Sequence, residues 1–192
     1  MAMRNAMTEP KLFVYFDMDG VLVEFNDQDT ITQPFRVPGS HYFRNQPPDA
    51  KAVDLMRCLS EFPKIKTIVL TRLLNPLAQI LADEHENDKR AWCLEHALTP
   101  DFDQDGPDLP FICLKNVNDK TSVLASLPPG ENKKRHILID DDIMNLAAWK
   151  QAGGTAYQYM QPGRNVQRFG KQVLESSMPV LKMAEVIFEN MP

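Results

Sequence analysis

Lys11-Leu-Phe-Val-Tyr-Phe-Asp-Met-Asp-Gly20 is the stretch from which the fold can be read. Residues 11 to 16 form a short apolar run, mostly β-branched or aromatic, the pattern of a strand buried on both faces. The run ends on two acids, Asp17 and Asp19, and Gly20 punctuates a turn. Strand ends carrying acids are hard to explain as core.

Moving outward, the same arrangement recurs. Thr67-Ile-Val-Leu70 reads as a second buried strand and closes on Thr71-Arg72. Phe111-Ile-Cys-Leu114 is a third, His136-Ile-Leu-Ile139 a fourth running into Asp140-Asp-Asp142, and Thr155 to Tyr159 a fifth. Helical periodicity fills the intervals. Ala52, Leu55, Met56, Leu59 and Phe62 follow a helix start at Pro48-Asp49, and Pro63 ends that helix. A long helical region opens at Pro76, with apolar positions at Leu77, Ile80 and Leu81, then Trp92 and Leu94. The polar stretch between them predicts a break. Lys120 to Leu127 is a short helix, another runs through Ala147, Ala148 and Trp149 to Gly153-Gly154, and residues 171 to 190 read as a final helix. Residues 24 to 48 lose periodicity and carry Pro34, Pro38, Pro47 and Pro48, as an inserted segment or small lid would. The expected organisation is a loose tail over 1–10 and a single domain over 11–192, with the small cap at about 24–48.

Strands alternating with helices imply right-handed crossovers and a doubly wound parallel sheet, an α/β fold. In such sheets the site lies at the carboxyl ends of the strands. Asp17, Asp19, Thr71, Arg72 and Asp140 to Asp142 all fall there.

The bulk properties narrow the class. A chain of 192 residues, 43% hydrophobic, is one ordinary domain with a sizeable core. Its formal net charge of −5 argues against a nucleic-acid duplex or an anionic membrane surface as partner. No apolar run is long enough to cross a bilayer, and residues 1 to 10 lack the apolar stretch of a signal peptide. Cys58, Cys93 and Cys113 are far apart, form no metal-spaced pair, and read as buried thiols in a reducing cytoplasm.

Gathering Asp17, Asp19, Asp140 and Asp141 in one cleft is unfavourable unless a cation or proton relieves it. Hard oxygen ligands without His or Cys point to Mg²⁺ rather than zinc. A carboxylate can attack phosphorus to form an aspartyl-phosphate, splitting one displacement into two. A second acid two residues on can protonate the leaving alcohol and then deprotonate water, while a hydroxyl and an ammonium bind the phosphate oxygens.

These residues carry a resemblance to a known family. Phe16-Asp-Met-Asp-Gly-Val-Leu22 closely resembles the first motif of the haloacid dehalogenase-like (HAD) phosphatases. Val69-Leu-Thr71 resembles the second motif and Leu138-Ile-Asp-Asp141 the fourth, in order, over residues 12 to 160. The resemblance implies a Rossmann-like HAD fold and an Mg²⁺-dependent phosphomonoester hydrolase. It implies Asp17 as nucleophile and metal ligand, and Asp19 as general acid/base lending its backbone carbonyl to the metal. Thr71 would bind the phosphoryl group, Asp141 the metal directly, and Asp140 would support through water. Lys120, at a helix start in Asn118-Asp-Lys-Thr121, fits the third-motif lysine, with Lys115 the alternative. An acid at Asp19 favours phosphate esters, because members that cleave carbon–halogen bonds lack it. The arrangement looks most like the 5′(3′)-deoxyribonucleotidase-like branch, whose substrates are nucleoside monophosphates, although the inserted segment here is shorter. A sugar phosphate or other small phosphometabolite is the alternative substrate, and a binding or scaffold protein that keeps the fold without turnover is the alternative class.

Plainer readings stand beside these. Arg72 is a surface arginine or a substrate contact. Tyr42, Phe43 and Arg44, with His41, are a packed lid or a substrate-binding group in which an aromatic stacks on a ring and Arg44 pairs with an anion. Asp142 reads as a helix N-cap, and Trp92 and Trp149 as core. Asp101-Phe-Asp-Gln-Asp-Gly106 imitates a calcium loop but has Ile112 where the bidentate Glu belongs, so it reads as a solvated acidic loop.

Overall fold

A computed structural model describes residues 12–24, 27–73, 79–96, 110–115, 119–162 and 167–189. The expected tail over 1–10 and the acidic loop at Asp101 to Gly106 lie outside them. The strands are β1 (Leu12–Phe16), β2 (Ile65–Arg72), β3 (Phe111–Leu114), β4 (His136–Asp140), β5 (Thr155–Met160) and β6 (Val173–Glu175). They form one sheet in the order β3-β2-β1-β4-β5-β6, with every neighbouring pair parallel. The helices are α1 (Asp27–Thr32), α2 (Ala50–Ser60), α3 (Gln79–Glu95), α4 (Ser122–Ala125), α5 (Ile143–Gln151) and α6 (Val180–Glu189).

Strand alternation divides the core in two. Val14 and Phe16 pack with α2, α6, Trp92 and Cys93, whereas Tyr15 packs with Leu124, Leu146 and Trp149 beneath the other face. From β1 the chain steps to β2 and β3 on one side, then returns to β4 and proceeds the opposite way. The reversal falls between β1 and β4, so their carboxyl ends border the crevice where such sheets bind ligands.

Local chemistry sets the element ends. Asp49 caps α2, accepting at 3.0 Å from the amides of Lys51 and Ala52. The buried hydroxyl of Tyr159 donates to the same carboxylate oxygen at 2.8 Å, tying the cap to β5. Asp142 is the N-cap of α5 and accepts from the Met144 amide at 2.8 Å.

Several expectations need correction. Residues 171 to 190 are not one helix. The Val-Leu-Glu segment at 173 pairs with β5 as a sixth strand, and α6 begins only after Pro179. The region after Pro76 contains no break over Gln79–Glu95. Its polar middle buries His85, Asp88 and Lys89, so the inward face of the helix is charged where an apolar stripe is ordinarily sought. Phe62 lies beyond the end of α2 and is 43% exposed, resting against Phe188. Cys93 is buried, but Cys58 and Cys113 are only half-buried, and none is in a disulfide.

Gly154 is packed too closely to admit a side chain. A Cβ there would stand 2.3 Å from the indole nitrogen of Trp149, a fully buried side chain that donates to the His136 carbonyl at 3.1 Å. Gly154→Ala is therefore expected to destabilise the protein by about 1–3 kcal/mol, the usual cost of overpacking, read as a lower urea midpoint at unchanged slope.

Candidate active site

β1 delivers Asp17 to the crevice, and its amide continues the ladder by donating to the Ile139 carbonyl at 2.9 Å. The chain then folds back sharply. The Met18 carbonyl accepts from the amides of Val21 and Val23 at 3.3 and 2.9 Å, and Gly20 takes φ 85°, a conformation that glycine adopts without steric cost. Short bridges from Asp19 to Val23 and from Val23 to Pro48 bolt this turn to the segment entering α2.

Asp17 is 8% exposed. Its Oδ1 accepts from the Met18 amide at 2.8 Å and lies 2.7 Å from the Lys120 ammonium. Lys120 is buried and also donates to Asp140 Oδ2 at 2.7 Å. Burial pushes the Asp17 carboxyl up to about 8; Lys120 opposes this, and the carboxylates of Asp140, Asp19 and Asp141 reinforce it. Burial works against the charge on Lys120, but Asp17 and Asp140 outweigh it and hold the ammonium above its ordinary pKa. Lys115, by contrast, is exposed and pairs with Glu86 at 2.6 Å and Asp83 at 3.6 Å, away from Asp17.

Asp140, wholly buried, accepts at Oδ2 also from Asn145 at 3.1 Å and at Oδ1 from the Asp142 amide at 2.9 Å. Asp141, next along the chain, is partly exposed. Asp17, Asp140 and Asp141 each bring one carboxylate oxygen within 4.8 Å of the others. Three hard oxygen donors whose mutual repulsion already raises Asp17 suit an ion such as Mg²⁺.

Lys89 escaped the sequence reading. Its side chain is fully buried, with Nζ 2.5 Å from Asp19 Oδ2 and 2.8 Å from Thr71 Oγ1. Thr71, at the end of β2, is itself wholly buried. Leu81, His85, Asp88, Lys89 and Trp92 recur at helical spacing along one buried face of α3. That spacing, with charged residues admitted to the inward face, is the signal that would have joined Leu81 to Trp92 and exposed Lys89.

The structure thus brings Asp17, Asp19, Thr71, Lys120, Asp140 and Asp141 to one end of the sheet, together with Lys89. Arg72 is exposed on the outward side of the same strand end. In the 24–48 segment, Phe43 is buried with its ring centroid 4.5 Å from the Lys89 ammonium. Tyr42 donates to Asp29 at 2.6 Å and stands edge-on to Phe35 and Phe43. Arg44 does not reach this cluster; its Nε donates to Glu95 on α3 at 2.8 Å, and half of its side chain is exposed.

No family model and no curated protein matches the sequence. Solved structures do match the fold. A Mesorhizobium loti protein described as a HAD-like phosphatase superposes with a TM-score of 0.55 at 13% identity, over 93% of this chain and 86% of its own. A HAD family hydrolase from Deinococcus radiodurans, solved with bound phosphate and sodium, gives a TM-score of 0.52 at 12% identity, over 94% of this chain and 96% of its own. The six-stranded parallel sheet with its flanking helices is a Rossmann-like α/β fold of the HAD type.

Proposed function

We propose that this chain is an Mg²⁺-dependent phosphomonoester hydrolase that works through an aspartyl-phosphate on Asp17. The observation that carries the reading is the meeting, at the crevice of a HAD-type sheet, of a buried carboxylate with a second acid two residues on and two buried ammonium groups. The same fold in proteins described as a phosphatase and a hydrolase supports it.

On this reading Lys120 and the Met18 amide fix the Asp17 carboxylate by holding Oδ1. The carboxylate attacks phosphorus; an Asp17 oxygen–phosphorus bond forms as the phosphorus–oxygen bond to the leaving group breaks. Thr71, Lys89 and Lys120 surround the phosphoryl oxygens and stabilise charge that grows in the transition state. Asp19 gives its proton to the departing alkoxide, then takes one from the water that attacks the aspartyl-phosphate, freeing Asp17 and inorganic phosphate. In the structure Asp19 is paired with Lys89. A phosphate dianion competes for that ammonium, which would release Asp19 to carry a proton. Asp17 and Asp141, with the Asp19 backbone carbonyl, would hold the metal, and Asp140 would support them. Bound there, Mg²⁺ would neutralise the acid cluster, keep Asp17 ionised and draw charge from the phosphoryl group.

The substrate is a small phosphorylated metabolite. The 24–48 segment acts as the cap, and its buried Phe43 packs beside Lys89, next to the phosphate-binding groups. A nucleoside monophosphate, as in the deoxyribonucleotidase-like branch, would stack on the half-buried Tyr42, which Phe43 meets edge-on. Arg72 and Arg44 are placed to meet substrate only if their side chains swing inward, Arg44 leaving Glu95. Among the described residues no helix is long and apolar enough to cross a membrane, and three cysteines without a disulfide fit a reducing cytoplasm.

Three outcomes test this proposal. Turnover of p-nitrophenyl phosphate is expected to vanish in EDTA and return with Mg²⁺; full activity in stripped protein would exclude metal dependence. Lys120→Ala is expected to lower kcat by about 10²–10³-fold, the scale for removing one charge-stabilising donor, while Lys115→Ala stays near wild type; the reverse ranking would transfer the role. Asp17→Asn is expected to be inert and to form no phosphoenzyme. Asp19→Asn should lose roughly 10²–10⁴-fold, yet with the activated p-nitrophenol leaving group it should accumulate phosphate on Asp17, visible by mass spectrometry. Phosphate on a Ser, His or Cys would overturn the mechanism. A panel of nucleoside monophosphates and sugar phosphates then identifies the substrate class.

A further inference from the structure

Away from the Asp17 cluster, the junction of residues 39–43 with α3 holds an unusual set of buried atoms. Ser40 Oγ, Glu84 Oε1, His85 Nδ1 and Asp88 Oδ2 have no hydrogen-bond partner, and among the described residues only His136 Nε2 shares that condition. Such atoms are normally paired, so four at one junction point to a ligand. The set is rich in acceptors. Carboxylates accept only. The His85 Nε2 contact at 2.6 Å is to the Phe35 carbonyl, so Nε2 donates. With its ring proton on Nε2, His85 presents Nδ1 as an acceptor.

The two carboxylates are held in place by other contacts. Glu84 and Asp88 are four residues apart on one face of α3. Glu84 Oε2 accepts from the Gly39 amide at 2.8 Å. Asp88 is 4% exposed, and its Oδ1 lies 2.9 Å from His41 Nδ1 while its other oxygen is the buried, unpartnered one. His41, Glu84 and Asp88 each bring a ligand atom within 4.8 Å of the others.

We propose that His41, Glu84 and Asp88 form a second divalent-cation site, suited to zinc because it joins an imidazole to two carboxylates, and separate from the all-oxygen Asp17 cluster. Zinc there clamps residues 39–41 onto α3, one residue before Lys89 and two before Phe43. The proposal does not depend on hydrolysis.

The test uses Asp141→Asn protein, which disables the other cluster, stripped of metal and titrated with Zn²⁺ against a chromophoric chelator. One Zn²⁺ per chain is expected, with excess Mg²⁺ failing to displace it. Adding His41→Ala should weaken Zn²⁺ binding by more than about 100-fold, since even outer-shell partners of a metal are worth roughly 10–100-fold; Glu84→Gln should do the same. His41→Ala also removes the contact to Oδ1 of buried Asp88 and should lower the metal-free melting temperature, so each protein is compared with its own metal-free state. Zn²⁺ should raise the melting temperature of Asp141→Asn but not of Asp141→Asn/His41→Ala. Absence of Zn²⁺ binding, or binding indifferent to His41→Ala, would overturn the proposal and show that these buried atoms are met by water.

Discussion

The Lys120 ammonium lies 2.7 Å from Asp17 on one strand end and 2.7 Å from Asp140 on the next, with almost no solvent access. β1 and β4 are adjacent and parallel, so their carboxyl ends necessarily present these two acids side by side. Without a cation between them the pair would be strongly disfavoured in so dry a place. Removing one partner of a buried pair of this kind typically costs about 3–5 kcal/mol, because the charge left behind has no water to turn to. The lysine therefore has a structural duty before any chemical one: it allows the sheet to end in two acids at all. α4 is only one turn long, but it starts where Lys120 can reach both strands.

A second buried ammonium repeats the arrangement one strand over. Lys89 joins Asp19, on the turn after β1, to Thr71 at the end of β2. It arrives from a helix that residues 39–46 cover closely. That segment meets α3 through the Gly39–Glu84, His41–Asp88 and Arg44–Glu95 contacts and through the Trp92 indole, which donates to the Gln46 carbonyl at 2.8 Å. The position of Lys89 is thus tied to a stretch without regular periodicity, and any movement of that stretch reaches the site through α3.

What could be read from the sequence follows from this division. Asp17, Asp19, Thr71, Asp140 and Asp141 stand directly after apolar strands, where a change from oil to acid is conspicuous and topology dictates that the ends converge. Lys120 was legible from its helix start, and the ion pairs of Lys115 with Glu86 and Asp83 show why its rival lies elsewhere. Lys89 was not legible because hydrophobic periodicity assumes an apolar inner face, and α3 buries a histidine, an aspartate and a lysine instead. β6 was missed for a different reason. Three residues at a sheet edge are too short to show alternation, and the helix-forming run after Pro179 extended the helical reading backwards across them.

The tie between the Asp49 cap and Tyr159 bears on how such a protein can diverge. It locks the exit of the turn carrying Asp19 to β5, deep in the sheet, so the groups proposed to do the chemistry share their foundations with the core. Substitution of Asp49 or Tyr159 is felt first in the fold. Phe43, Tyr42 and Arg44 rest instead on α1, α3 and one another. They lie outside the strand ladder and answer to a looser constraint. Substitution can therefore rework the proposed recognition groups while the strand ends that carry the acids stay fixed by the fold.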